Sequence, residues 1–230
     1  MIKKIFIACD TTKVNLITKI IKNTQSKKIN VGYKFGLEFF NSKNGRSFIS
    51  KLDKNKTIWL DLKLLDIPNT VASSIISLKD LKNIKYLTVH IAGGLEMMKL
   101  AKKIAGKVNK KLKILGVTVL TSFSNNSLKK TGHTKSIKDI VSMQARLAKI
   151  AGLDGIVCSG HEVRLIKKIC KNMEIVTPGI RLHGDKNQDQ KRVMTPKQAF
   201  LNGATGIVIG RSITQGNIKN NIQKLIKSLH

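Results

Sequence analysis

Acidic residues are scarce in this chain of 230 residues, where 13 Asp and Glu stand against 43 Lys and Arg and leave a formal net charge of +30. Aromatic residues reach only 4%, and cysteine occurs three times, at Cys9, Cys158 and Cys170. No apolar run approaches the roughly 20 residues that span a bilayer, which excludes a membrane protein. Three widely spaced cysteines form neither a disulfide framework nor a metal-ligand pattern, and they fit a reducing, cytoplasmic compartment. The opening Met1–Cys9 faintly imitates a signal peptide or lipidation site, but its apolar part is too short and Asp10 follows at once. The positive charge first suggests nucleic acid. Its distribution argues otherwise. Lysines are scattered over almost every predicted helix, arginines are few, and the shortage of aromatics leaves no platform for stacking bases. Lysine, isoleucine and asparagine are abundant together, as compositional drift of the source genome would give. The charge therefore reads as solvated lysines, and no specific nucleic-acid partner is expected.

What is present is a regular alternation. Hydrophobic residues make up 41%, enough for a substantial core in a chain of this length. Short apolar strands are predicted at Ile5–Asp10, Asn30–Gly36, Ile58–Leu64, Tyr86–Ala92, Leu112–Leu120, Gly155–Ser159, Glu174–Gly179 and Gly206–Gly210. Amphipathic helices follow them at Lys13–Asn23, Gly45–Leu52, Val71–Leu81, Leu95–Ala105, Ile137–Ala151, Glu162–Cys170, Pro196–Asn202 and Ile218–Leu229. Eight uninterrupted strand–helix units match a closed (β/α)8 TIM barrel of the α/β class better than an open doubly wound sheet. No Pro- or Ser-rich linker divides the chain, so residues 1–230 read as a single domain.

A barrel of this kind keeps its chemistry at the carboxyl ends of its strands. The third strand and its exit, Thr57-Ile-Trp-Leu-Asp-Leu-Lys-Leu-Leu-Asp-Ile-Pro-Asn-Thr70, carry the densest charge. Side chains alternate along a strand, so Trp59, Asp61 and Lys63 share one face while Ile58, Leu60, Leu62 and Leu64 share the other. Asp66 follows as the strand gives way to Pro68, and Asn69 or Thr70 is placed to cap a helix beginning near Val71. Two acids flanking one lysine would hold it protonated, a fixed proton donor to a carbon where negative charge develops. A structural ion-pair network, extended by Asp10 and Lys34, is the plainer alternative, but buried charge networks are seldom favoured for stability alone.

A second constellation lies after the last two strands, in Pro178-Gly179-Ile-Arg181 and Gly210-Arg211. Barrels often bind phosphate there, with glycines allowing close backbone approach and arginine gripping two oxygens at once. His90 is either a base or a brace for the loop after the fourth strand, the brace being favoured. Cys158 and His161 lack the partners for nucleophilic catalysis. The polar loop Leu182–Met194 has the size of a lid.

Asp61-Leu-Lys63-Leu-Leu-Asp66-Ile-Pro-Asn-Thr70 resembles the signature of the orotidine 5'-phosphate decarboxylases of short bacterial type. Matches to the same family run along nearly the whole chain, in Ala8-Cys-Asp10, Lys34-Phe-Gly36, His90-Ile-Ala-Gly-Gly94, Gly116–Ser122, Val176–Arg181 and Ile209–Ile213. Leu64-Leu65 in place of an aromatic–histidine pair and Ser159-Gly-His-Glu162 depart from the family pattern. The resemblance implies decarboxylation of orotidine 5'-phosphate to UMP, with no metal or organic cofactor, in a homodimer with shared active sites. It implies Lys63 as proton donor, Asp61 against the departing carboxylate, and Asp66 reaching the neighbouring subunit's site together with Ile67 and Thr70. It further implies Asp10 and Lys34 at the ribose, Thr121 at the pyrimidine, Pro178 in the pocket, and Arg181, Gln190, Gly210 and Arg211 on the phosphate. The nearest rival is a magnesium-dependent sugar-phosphate enzyme on the same barrel.

Overall fold

The structure, a computed structural model, describes residues 3–182, 184 and 193–229. Its eight strands are all parallel and close in sequence order, β1 pairing with β2 on one side and β8 on the other. The (β/α)8 barrel expected from the alternation is the fold observed. The strands are β1 (Lys4–Ala8), β2 (Asn30–Gly36), β3 (Thr57–Leu64), β4 (Ile84–His90), β5 (Lys113–Val117), β6 (Gly155–Val157), β7 (Glu174–Thr177) and β8 (Gly206–Ile209). The helices are α1 (Val14–Asn23), α2 (Leu37–Phe40), α3 (Gly45–Lys51), α4 (Pro68–Ile76), α5 (Gly94–Val108), α6 (Asn125–Lys129), α7 (Ile137–Ile150), α8 (Val163–Ile169), α9 (Pro196–Leu201), α10 (Arg211–Thr214) and α11 (Ile218–Ser228). Among the described residues no helix is long and apolar enough to cross a membrane.

Several strands end earlier than their apolar pattern. β5 stops at Val117 rather than Leu120, and β1 at Ala8 rather than Asp10. After each end the ladder lasts one more hydrogen bond, from Cys9 N–H to the Lys34 carbonyl at 2.9 Å and from Thr118 N–H to the Val157 carbonyl at 3.1 Å. The chain then turns over the rim, where Val119 stays buried as cavity wall. Apolar character reports burial, and a rim wall is as buried as a strand. The short helices α2, α6 and α10 were not expected, because one turn is too short to display a 3.6-residue period.

The helix after β3 begins at Pro68, three residues before the expected start, with Ile67 at the cap position and no side-chain cap. This corrects the expected capping by Asn69 or Thr70. Proline suits the first helical position, where its missing N–H would have no partner and its fixed φ already matches the helix.

Alternation along the strands divides the core in two. Outward-facing residues such as Ile58, Leu60, Leu87 and Val89 pack under the helices, while Phe6, Trp59, Tyr86, Leu115, Val176 and Val208 fill the barrel interior. Phe6 stands edge-on to Trp59 and Tyr86 at 4.8 and 5.3 Å between ring centres, the orientation aromatic quadrupoles favour. The amino end of the barrel is closed by Glu174, which accepts from Lys4 at 2.8 Å, from the Tyr86 hydroxyl at 3.2 Å, and from Lys113. Burial raises the Glu174 carboxyl, but the two ammonium groups outweigh it and its pKa is lowered. Chemistry is thereby confined to the opposite, open end.

Candidate active site

Neighbouring strands bring four charged side chains into one row. Lys34 on β2 stands in register with Ala8 on one side and Trp59 on the other, and Asp61 with Gly36. Asp10 lies two residues beyond β1. Asp10 Oδ1 is 3.1 Å from Lys34 Nζ, Lys34 Nζ is 3.3 Å from Asp61 Oδ2, and Asp61 Oδ2 is 2.9 Å from Lys63 Nζ. Charge alternates along the row and sums to zero. Gly36 gives the row room, since a Cβ there would stand 3.3 Å from Asp10 Oδ1 and crowd it slightly.

The middle of the row is the buried part, with the Lys34 and Asp61 side chains each 10% exposed against 35% for Lys63. Burial by itself lowers the Lys34 pKa, but Asp61 and Asp10 more than reverse it and the ammonium is held above its usual value. Burial likewise raises Asp61, and Lys34, Lys63 and the Thr88 hydroxyl overcome it, so the carboxyl is held below its usual value. Both groups therefore stay charged across neutral pH.

Lys63 has an unusual backbone. Its φ is +47°, a left-handed value found at no other non-glycine among the described residues and costing about 1–2 kcal/mol. The cause is a register slip: Leu60 pairs with Leu87, yet the next pair is Leu64 with Val89, four residues on β3 against two on β4. Residues 61–63 leave the ladder with β4, while Asp61 keeps its pairing with Gly36 on β2. The freed Lys63 N–H donates to Thr88 Oγ1 at 2.9 Å, and that hydroxyl donates to Asp61 Oδ1 at 3.0 Å.

A cavity of about 500 Å³ opens over the row. Asp10, Lys34, Asp61 and Lys63 line one side; Pro178, Gly179, Arg181, Gly210 and Arg211 line another, with Thr121 on the wall and Trp59 below. Gly179 has φ +75°, which a side chain would strain. The loop beyond is pinched at its base, where Arg181 N–H donates to the Met194 carbonyl and Met194 N–H to the Gly179 carbonyl, both at 3.1 Å. Gln190 lies outside the described residues, as does most of the loop it belongs to.

Asp66 stands apart. It is exposed, its Oδ1 accepts from Ile67 N–H at 2.7 Å, and among the described residues no ion pair joins it to Lys63. The expectation that Asp61 and Asp66 flank Lys63 is thus corrected within one chain, and Asp61 alone faces it. The physical reason is the strand end at Leu64 and the helix start at Pro68, which turn residues 65–67 outward. Ile67 and Thr70 are exposed with Asp66, and none of the three lines the cavity. Leu65 and Ile67 are 55% and 67% exposed, large apolar side chains facing outward beside the carboxylate.

His90 takes the bracing role. Its Nδ1 accepts from Ala92 N–H at 3.4 Å over the turn Ile91–Gly93, and burial, then the Lys63 charge, lower its pKa. Cys158 lines the cavity wall and His161 is exposed. Thr88 was missed from sequence. The available signal was its position between Tyr86 and His90, a polar side chain on the inward face of the strand and flanked by Leu87 and Val89.

The sequence model of the family described as orotidine 5'-phosphate decarboxylase / HUMPS matches residues 3–224. Orotidine 5'-phosphate decarboxylase of Wolbachia sp. subsp. Brugia malayi is 45% identical over 228 residues, 98% of each chain. The enzyme of that name from Sphingopyxis alaskensis is 43% identical over 218 residues, 94% of each. The crystal structure of orotidine 5'-phosphate decarboxylase from Lactobacillus acidophilus superposes with a TM-score of 0.82 at 34% identity, covering 99% of both chains.

Proposed function

The chain belongs to the orotidine 5'-phosphate decarboxylase / HUMPS family and is a carboxy-lyase, and from that premise we propose that it converts orotidine 5'-phosphate to UMP and CO2 in pyrimidine biosynthesis, with Lys63 as proton donor. The observation that carries this reading is the alternating row Asp10–Lys34–Asp61–Lys63 ending at the cavity. In the reaction the bond from the ring to the carboxylate carbon breaks, CO2 leaves, and the electron pair stays on the ring carbon. That carbon has no internal electron sink, so stabilisation must come from the protein. Lys63 supplies a cation there and then the proton that forms the new C–H bond, and water returns a proton to the amine.

Asp61, charged and buried, stands against the substrate carboxylate and disfavours it relative to the transition state. Asp10 and Lys34 hold ribose hydroxyls, Thr121 contacts the pyrimidine, and Pro178 packs in the pocket. Arg181, Gly210 and Arg211 take the phosphate, with Gln190 joining from the loop. Phosphate binding is remote from the reacting carbon, and its energy drives closure and excludes water. Residues 1–230 act as one catalytic domain, in the cytoplasm.

The test is an absorbance assay of orotidine 5'-phosphate consumption. Full activity is expected in EDTA, since no step uses a metal or organic cofactor. Absence of turnover with and without magnesium would refute the assignment, and a strict magnesium requirement would favour the sugar-phosphate rival.

The outward turn of Asp66 supports a homodimer in which Asp66, Ile67 and Thr70 complete the neighbour's site. The exposed Leu37, Leu65 and Ile67 supply apolar surface for that contact. Mixing Lys63→Ala with Asp66→Ala protein, each inactive alone, is expected to restore about a quarter of wild-type activity, because half the random dimers are mixed and each holds one intact site. No recovery after subunit exchange would show that each chain serves its own site.

A further inference from the structure

We infer that Thr88 is a positioning residue that sets Lys63 and Asp61 in their working geometry; the inference rests on the decarboxylase reading above. Thr88 is fully buried, on the inward face of β4 above Tyr86. Its hydroxyl joins the two groups: it accepts from the Lys63 backbone N–H at 2.9 Å and donates to Asp61 Oδ1 at 3.0 Å.

The arrangement answers a specific need. A lysine side chain has four rotatable bonds, so placing its Nζ requires both ends to be held. Asp61 Oδ2 holds the tip at 2.9 Å. The root sits in a bulge with a left-handed φ, where the ladder offers the N–H nothing. Thr88 takes that N–H and so keeps the bulge from relaxing into a regular strand. The same hydroxyl fixes the rotation of the Asp61 carboxylate and thereby which oxygen faces the two ammonium groups. Its one proton is donated and one of its two lone pairs accepts, so both roles of the hydroxyl are engaged.

Valine has the shape of threonine without the hydroxyl, so Thr88→Val tests the hydrogen bonds and leaves packing alone. It leaves the part-buried Lys63 N–H without this acceptor and removes one donor from Asp61. A shift of Nζ by about 1 Å is enough to lower the rate about 100-fold. The expected result is a kcat on orotidine 5'-phosphate about 10- to 100-fold lower, with KM and the affinity for UMP within about twofold of wild type. Thr88→Ser, which keeps the hydroxyl, is expected to recover most of the rate. A Thr88→Val kcat within twofold of wild type would overturn the inference, as would a KM raised as far as kcat falls, or a serine variant no better than valine. If Thr88→Val does not fold, Thr88→Cys, close in size with only a weak donor, is judged by the same criteria. Wild-type protein inert toward the substrate would instead refute the decarboxylase reading itself.

Discussion

Lys63→Ala is expected to lower kcat on orotidine 5'-phosphate by at least about 10⁴-fold, since it removes both the proton donor and the cation at the carbanion. The effect should be on turnover more than on folding. Lys63 is the most exposed cation of the row, and Asp61 keeps Lys34 at 3.3 Å and Thr88 at 3.0 Å when it is lost. Binding is best followed with UMP, which lacks the carboxylate that would meet the row's change from neutral to negative most directly. UMP affinity close to wild type together with lost turnover separates chemistry from binding. A Lys63→Ala enzyme within tenfold of wild-type turnover would rule out the proton-donor role.

Asp61→Asn is expected to have the second largest effect, a fall in kcat of about 10²–10³-fold. The amide keeps the size of the carboxylate but turns a neutral row into one of net charge +1. Lys34 retains Asp10 at 3.1 Å, whereas Lys63 loses its charged partner. If Asp61 works by opposing the substrate carboxylate, removing its charge relieves that opposition before the reaction begins. KM should then stay level or fall while kcat drops, the pattern of lost ground-state destabilisation. A KM that rises in step with the fall in kcat would instead make Asp61 a binding group. Melting temperature should fall as well, because a buried pair is broken from one side.

Much of this was legible in the sequence because strand residues obey a strict two-residue period. Alternation put Trp59, Asp61 and Lys63 on one face, and the count of strand–helix units put that face inside a barrel. Once the strand order was set, Asp10, Lys34, Arg181 and Arg211 had to meet at one end, and they do. Asp66 marks where this logic stops. Read as part of the same cluster, it belongs to a turn whose direction depends on where the strand ends and on Pro68 opening the helix.

The sequence by itself determined the barrel, the open end and the residue types gathered there, since periodicity and strand order are local and additive. Only the tertiary structure decided how Lys63 is presented. The slip of four residues on β3 against two on β4, the left-handed turn at Lys63 and the Thr88 hydroxyl that receives its N–H arise from pairing between strands 25 residues apart. The hydrophobic pattern sets which face of a strand is buried, but the slip between two strands is a property of their pairing, so the device that aims the lysine becomes visible only when both strands are in place.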